Sequence, residues 1–295
     1  MRVFVTGASG WVGSSVVKEL LGAGHAVTGM VRSSAGAASV EAAGATAVRA
    51  DLDDLAAMRR AADAADGVIH TAFNHDFSNF AKGCEQDRRA IEALGSALKG
   101  TTKPLVVTSG LALLASGRPA LESDRPPAPG QHYPRASEAA ADALVALGVH
   151  ASVVRLAPSV HGTGDHGFVP MLINLAKEKG SAAYIGEGAN RWAGVHRLDA
   201  ARLFRLALEH RGIGERWHAV QDEGVALCDI AAVIARRLEV PLAPLTPAQA
   251  QNHFGWMAPF AGIEMAASSA RTREALGWAT RERTLLEDIE QGGYF

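Results

Sequence analysis

The strongest constraint on this chain lies in its first thirteen residues. A short, largely apolar run at 2–6 leads straight into Gly7-Ala8-Ser9-Gly10-Trp11-Val12-Gly13, and the following segment, 14–21, has the make-up of a helix. A strand that becomes a helix this quickly needs glycine for separate reasons: Gly7 permits the tight turn, Gly10 lets the backbone approach a pyrophosphate, and Gly13 lets the helix pack closely on the strand. The free N–H groups and partial positive charge at the helix start then suit phosphate. Glycine spacing alone is weak evidence. Here it follows a strand and opens a helix, so we read Gly7, Ser9, Gly10, Trp11, Val12 and Gly13 as a dinucleotide cradle.

The rest of the first half agrees. Short β-branched runs at 3–6, 26–31, 46–49, 67–71, 104–108 and 151–156 alternate with alanine-rich, helix-like segments near 11–22, 54–65, 78–98 and 135–147. That rhythm predicts βαβ units and a Rossmann-type, doubly wound parallel sheet in an α/β fold. After residue 157 the rhythm changes to Gly- and Pro-rich loops around a helix at 169–179, a helix at 199–210 with Asp199 as its N-cap, a strand at 216–220, and short helices and turns from Asp222 onward. We therefore expect a dinucleotide-binding domain over 1–157, with 192–221 returning to it. A smaller C-terminal substrate-side domain is expected from 158–191 and 222–295.

Bulk properties narrow the function classes. In 295 residues, 48% are hydrophobic and 20% charged, which excludes wholesale disorder, and a net charge of −2 offers no basic field for nucleic acid or anionic lipid. Cys84 and Cys228 stand far apart, so neither a disulfide framework nor a metal site is suggested. No apolar run approaches the roughly 20 residues of a membrane span, and the start lacks the apolar core of a signal peptide. A cytoplasmic protein with a small-molecule substrate, no nucleic-acid partner, no membrane and no metal is expected.

The second strand bears on which dinucleotide binds. NAD-preferring folds place an acid near its end to accept from the ribose hydroxyls. Here 24–32 reads GHAVTGMVR, with Arg32 where the acid is expected and Ser33 and Ser34 next. Arginine cannot accept a hydrogen bond, but its planar fork suits a 2′-phosphate. The prediction is NADP(H).

From these residues onward the chain resembles the short-chain dehydrogenase/reductase superfamily. Within it, the extended and atypical branch of NAD(P)-dependent epimerase/dehydratases and dihydroflavonol-type reductases is most similar. The resemblance continues through 155–162 (RLAPSVHG) and 194–201 (GVHRLDAA) and fades beyond about residue 220. It implies that Asp51 and Leu52 hold adenine and that Thr71, Ala72 and Phe73 lie beside the nicotinamide ribose. It implies further that Ser109 is the catalytic hydroxyl after the fifth strand and that Pro158, Ser159 and Val160 meet the nicotinamide carboxamide. Asp51 also reads as a helix N-cap. Relatives pair through the helices corresponding to 78–98 and 135–147, which allows a homodimer.

The chemistry departs from the family pattern at one place. Hydride transfer to a carbonyl leaves a developing alkoxide that needs a proton and hydrogen bonds. The family supplies a Ser and a Tyr-x-x-x-Lys helix, whose lysine lowers the tyrosine pKa. Tyr133 stands 24 residues after Ser109, but the position four residues on is Ser137, and no lysine occurs between Lys103 and Lys177. Pro134 pushes Tyr133 away from helical geometry and suits the first helical turn, placing Tyr133 at a helix cap. There it is either the proton donor or a loop side chain covering the cofactor mouth. Arg135 could supply the missing positive charge, while His161, Asp165 and His166 in the loop HGTGDHG are alternative proton carriers on the substrate side. Trp192 and Trp256 read as core or pocket wall.

The leading expectation is an NADP-dependent oxidoreductase moving hydride to or from a small carbonyl or imine, with Ser109 and Tyr133 as catalytic residues. A nucleotide-sugar epimerase or dehydratase is the second reading, weakened because only Arg191, Arg197 and Arg202 could meet a nucleotide diphosphate. A non-catalytic NADP-binding sensor is the third, favoured by the missing lysine.

Overall fold

The alternation read from the sequence is the chain's architecture. A computed structural model describes residues 1–291 and 293–295. The first half runs β1 (Arg2–Thr6), α1 (Trp11–Gly22), β2 (Ala26–Val31), α2 (Ser34–Ala42), β3 (Thr46–Arg49), α3 (Leu55–Ala64), β4 (Gly67–His70), α4 (Phe80–Leu98), β5 (Leu105–Gly110), α5 (Ser137–Ala146) and β6 (Ala151–Leu156). The second half runs β7 (Ser159–His161), α6 (Phe168–Lys179), β8 (Ala182–Ile185), β9 (Arg191–His196), α7 (Arg197–His210), β10 (Arg216–Ala219), β11 (Asp222–Ala226) and α8 (Leu227–Leu238). It ends with β12 (Leu242–Leu245), α9 (Pro247–Phe254), α10 (Ala258–Gly262), α11 (Ala270–Leu276) and α12 (Leu285–Gln291).

The central sheet has seven strands in the order β3-β2-β1-β4-β5-β6-β10, and every pair is parallel. Strand order reverses beside β1, so the crevice at the carboxyl ends of β1 and β4 is the switch point where such sheets bind ligands. Helices cover both faces, and Phe4, Ile69, Leu105, Val106 and Val154 are wholly inaccessible, which explains why these strands read as apolar runs rather than alternating ones. Two cores fill the two faces of the sheet. A third core gathers Trp192, Leu227, Ile230, Phe254 and Leu285 under a small β11-β9-β7 sheet and the β12-β8 pair. Of the returning segment 192–221, α7 and β10 pack with the large sheet while β9 pairs with β7 and β11. No described helix is long and apolar enough to cross a membrane.

Three local expectations need correction. Helix α2 was not anticipated: its small residues show no apolar stripe, and it is set by Ser33, whose hydroxyl accepts from the Gly36 N–H at 3.0 Å. Helix α7 is capped by His196, whose Nδ1 accepts from the Leu198 N–H, and not by Asp199. Asp199 lies one turn in, fully buried, accepting from the N–H groups of Arg281 and Glu282 at 3.0 and 3.1 Å, so it anchors a distant loop. Helix α5 begins at Ser137 with Ala136 as its cap residue, leaving Tyr133 and Pro134 in the preceding loop rather than at the helix start.

One buried ionic knot joins the sheet edge to α5. Arg155 on β6, fully buried, donates to both carboxylate oxygens of Glu138 at 2.8 Å, and Arg216 on β10 donates to the same carboxylate at 2.9 Å. Removing one partner of such a set leaves buried charge uncompensated. Glu138→Ala is expected to cost about 3–5 kcal/mol in urea unfolding, against a small change for an exposed control such as Glu92→Ala.

The same knot fixes a neutral histidine. His218 donates from Nδ1 to the Ser268 carbonyl at 2.7 Å and accepts at Nε2 from Arg155 at 3.1 Å. Burial, and then the Arg155 charge, pull its pKa down to about 4 from 6.5. A folded-state pKa below the unfolded value means that this ring stabilises the fold above about pH 6.5 and loses that contribution as pH falls toward about 4. The thermal midpoint should therefore drop across that window, and less steeply in His218→Gln; equal slopes in the two proteins would refute the assignment.

Candidate functional site

The glycine turn is dictated by contact on both sides. Gly7 has φ +66°, and a Cβ there would lie 2.9 Å from the Ala72 backbone; a Cβ on Gly13 would lie 2.1 Å from the Gly7 carbonyl oxygen and 2.8 Å from Thr71 Oγ1. These are distances no side chain tolerates. Gly10 differs: it stands at the cap position of α1, which has no side-chain cap and no acidic residue in its first turn. The leading N–H groups of a helix lack intrahelical acceptors. With no carboxylate to neutralise them, these remain a positive, donor-rich cradle, which fits a pyrophosphate.

Toward the end of β2 and β3 lie the adenosine-side candidates. Arg32 is exposed and forms no ion pair among the described residues. It directly precedes Ser33 and the start of α2, and a Cβ on Gly36 would come within 2.9 Å of Ser9 Oγ and 3.2 Å of Ser33 Oγ. Ser9 and Ser33 thus meet at the start of α2, which Ser33 caps, with Arg32 the residue before it. Asp51 is exposed, and one of its carboxylate oxygens accepts from the N–H groups of Asp53 and Asp54 at 2.9 and 3.1 Å. The cap of α3 is Asp54, so Asp51 shapes the turn rather than capping the helix. Leu52 is 8% exposed and packs into the core beside Phe4, Met30 and Met58.

The nicotinamide-side candidates also gather at strand ends. Thr71 Oγ1 donates to the Thr6 carbonyl at 2.7 Å, and the Ala72 N–H donates to Thr6 Oγ1 at 3.3 Å. Phe73 stacks near His75 and Phe80 and under the Arg135 guanidinium. Ser109, near the end of β5, is 2% exposed and its hydroxyl has no partner; Ser159, on β7 after Pro158, is 3% exposed and likewise unpartnered. Buried hydroxyls without partners are costly unless a ligand serves them. Val160 receives the Trp11 indole N–H on its carbonyl at 2.7 Å, which ties α1 to β7. Val12 packs against the core on the β1 face of the sheet.

Ser137 is fully buried and joined to the strand ends through a chain of hydrogen bonds. Its hydroxyl donates to Asp87 at 2.6 Å, the other Asp87 oxygen meets His70 Nε2 at 3.1 Å, and His70 Nδ1 meets Thr6 Oγ1 at 2.7 Å, all of it buried. No sequence signal pointed to Asp87. Tyr133 is half-buried in its loop, where burial raises its pKa and the Arg135 charge opposes that rise. Cys84, close by, is buried and pushed up to about 11, so it is a thiol and no nucleophile.

Two of the alternative proton carriers, His161 and Asp165, are engaged with other residues, while His166 is exposed beside the glycine turn. His161 is fully buried with Nδ1 on Asp288 at 3.0 Å. Asp165 accepts from the Gly167 N–H and from the Tyr294 hydroxyl at 2.7 and 3.1 Å, and burial raises its pKa. His166 packs edge-on to Trp11. Glu138 is held by two arginines. Of the three candidate diphosphate ligands, Arg191 pairs with Glu264, and Arg202 with Asp199 and Glu282; Arg197 stacks on Trp11 at 4.3 Å. Trp192 is core, while Trp256 is 52% exposed. No group of three or more metal-ligating side chains occurs among the described residues.

Known proteins resemble this chain in sequence and in fold. The sequence profile of the NAD dependent epimerase/dehydratase family matches residues 3–219. An uncharacterized protein of Schizosaccharomyces pombe is 46% identical over 299 residues, covering 100% of both chains. The 4-hydroxy-2-methyl-3-oxo-4-farnesyl-3,4-dihydroquinoline-1-oxide ketoreductase of Stigmatella aurantiaca is 28% identical over 329 residues, 99% of this chain and 97% of its own. Among solved structures, the dTDP-glucose 4,6-dehydratase of Streptomyces venezuelae, with NAD bound, aligns with a TM-score of 0.77 at 18% identity, covering 99% of this chain and 95% of that one. At that identity the likeness is one of fold.

Because a Cβ at residue 13 cannot be placed without opening the turn, Gly13→Ala should weaken nicotinamide dinucleotide binding by tenfold or more, about 1.4 kcal/mol. Calorimetric titration measures this, and unchanged affinity would remove the turn from the binding site.

Proposed function

Since the chain belongs to the NAD-dependent epimerase/dehydratase family of the extended short-chain dehydrogenase/reductase superfamily, we propose that it is an NADP(H)-dependent reductase of a small carbonyl or imine substrate. The observation that carries this reading is Ser109: a buried hydroxyl without a partner, at the strand end that faces the switch-point crevice. Such a group is poised to donate to the oxygen on which charge develops. The cofactor, when bound, supplies the hydride. NADP(H) is favoured over NAD(H) by the unpaired Arg32 beside Ser9, Ser33 and the start of α2, a donor set suited to a 2′-phosphate.

Tyr133 gives the proton. Burial lifts its pKa, which favours the protonated phenol that donation to an alkoxide requires. The ketoreductase relative is in keeping with this chemistry. A nucleotide-sugar substrate is disfavoured because Arg191 and Arg202 are already bound to carboxylates. The engagement of the Ser137 hydroxyl with Asp87 favours the non-catalytic sensor as the second reading, because the position that carries the family lysine offers no positive charge. We place the protein in the cytoplasm, acting on a free small molecule.

Incubating the protein with NADPH and a panel of aldehydes, ketones and imines should give loss of reduced-cofactor absorbance that falls at least a hundredfold in Ser109→Ala. Tyr133→Phe should lower kcat by more than tenfold while leaving the NADPH Kd within about twofold, and Arg32→Ala should weaken NADPH far more than NADH. Tight NADPH binding with no turnover on any compound would replace the reductase with the sensor.

A further inference from the structure

Three arginines around the site lack a counter-charge among the described residues: Arg32 is exposed, Arg197 lies over the Trp11 indole, and Arg135 stands two residues from Tyr133. Arg155, Arg216, Arg191 and Arg202 each meet a carboxylate. Arg135 meets none among the described residues: it has no ion pair, and its buried Nε has no hydrogen-bond acceptor. Its guanidinium lies 4.7 Å from the centre of the Phe73 ring. Stacking uses the flat face of the group and leaves the N–H edges free to receive a planar acceptor. Phe73 lies in the loop after β4, three residues past its end, and Arg135 is two residues beyond Tyr133, so the guanidinium stacked on Phe73 belongs to the same loop as the proposed proton donor.

The Arg135 charge is felt by its neighbours. It opposes the rise that burial gives the pKa values of Tyr133 and Cys84, and it adds to burial in lowering that of His75, while Asp87 and Glu138 act in the opposite sense. A cation half-removed from water is unfavourable until an anion joins it. The dinucleotide's phosphates are provided for elsewhere, at the starts of α1 and α2, so the missing anion belongs to something else.

We propose that Arg135 recognises a carboxylate on the substrate, set a few bonds from the carbonyl that is reduced, and that Phe73 holds the guanidinium in the plane needed for a two-pronged contact. This deepens the reductase reading and rests on it only for the identity of the adjacent carbonyl. Arg135 would thus select acidic carbonyl compounds over their neutral esters and amides.

Benzoate and benzamide are planar, nearly isosteric and differ in charge, and their binding needs no turnover. Titrated against the full protein saturated with oxidised NADP, with tryptophan fluorescence as the readout, benzoate should bind at least tenfold tighter than benzamide. Arg135→Met should bring the two within about twofold, and Arg135→Lys, which keeps the charge but not the fork, should fall between. The NADPH Kd of Arg135→Met should stay within about twofold of the parent, which also reports an intact fold. The proposal is overturned if the parent protein shows no preference, or if the preference survives in Arg135→Met. A tenfold or greater loss of NADPH affinity in that variant would also overturn it, by assigning Arg135 to the cofactor. A benzoate preference without turnover on any carbonyl would sustain the anion site and remove the reductase.

Discussion

The closure of the β1–α1 turn onto β4 is the contact on which everything else in this molecule depends. The start of α1 is pressed so tightly on the Gly7 carbonyl and Thr71 hydroxyl that a single methyl at residue 13 has no room. Thr71 in turn donates back to Thr6. The turn is therefore wedged between two parallel strands at the point where strand order reverses, and the uncapped N–H groups of α1 face the crevice because they have nowhere else to face. Trp11 carries that rigidity outward through its bond to Val160, so the second half of the chain is hung from the same turn.

Legibility in the sequence follows from how local each cause is. The strands of the large sheet are short apolar runs because helices bury both their faces, and a run of that kind needs no partner to be recognised. The glycine motif is local too, since all three glycines answer to one turn. Helix α2 was invisible because its sequence, SAGAASVEA, has neither an apolar stripe nor a capping box. Asp199 was misread for the opposite reason: an acid near a helix start looks like a cap, yet the histidine three residues earlier took that role and freed the carboxylate to bind the loop at 281–282. In the second half, β8 and β12 are four-residue strands that exist only because they find each other across some sixty residues, and nothing local announces such a pairing.

The site divides along the same line. The turn and strand ends proposed for its cofactor side are marked in the sequence because backbone shape is written in glycines and strand ends. Its polar chemistry is not, because a charged side chain's role depends on whom it meets. Arg191, Arg197 and Arg202 look equivalent in the sequence, but the fold gives two of them carboxylates and leaves the third on an indole face. Arg135 and Arg155 look equivalent as well, yet one is locked into Glu138 and the other keeps an open edge.

Serine at residue 137 is best understood from its surroundings rather than as a lost lysine. Asp87 and His70 sit directly beneath it, and with Thr6 and the Ala72 N–H they form a closed chain in which each donor meets an acceptor. The positive charge that acts on Tyr133 comes instead from residue 135, outside the helix, and it opposes burial without overcoming it. The charge environment of Tyr133 is thus set by one buried ring and one stacked guanidinium, and not by the helix that carries Ser137.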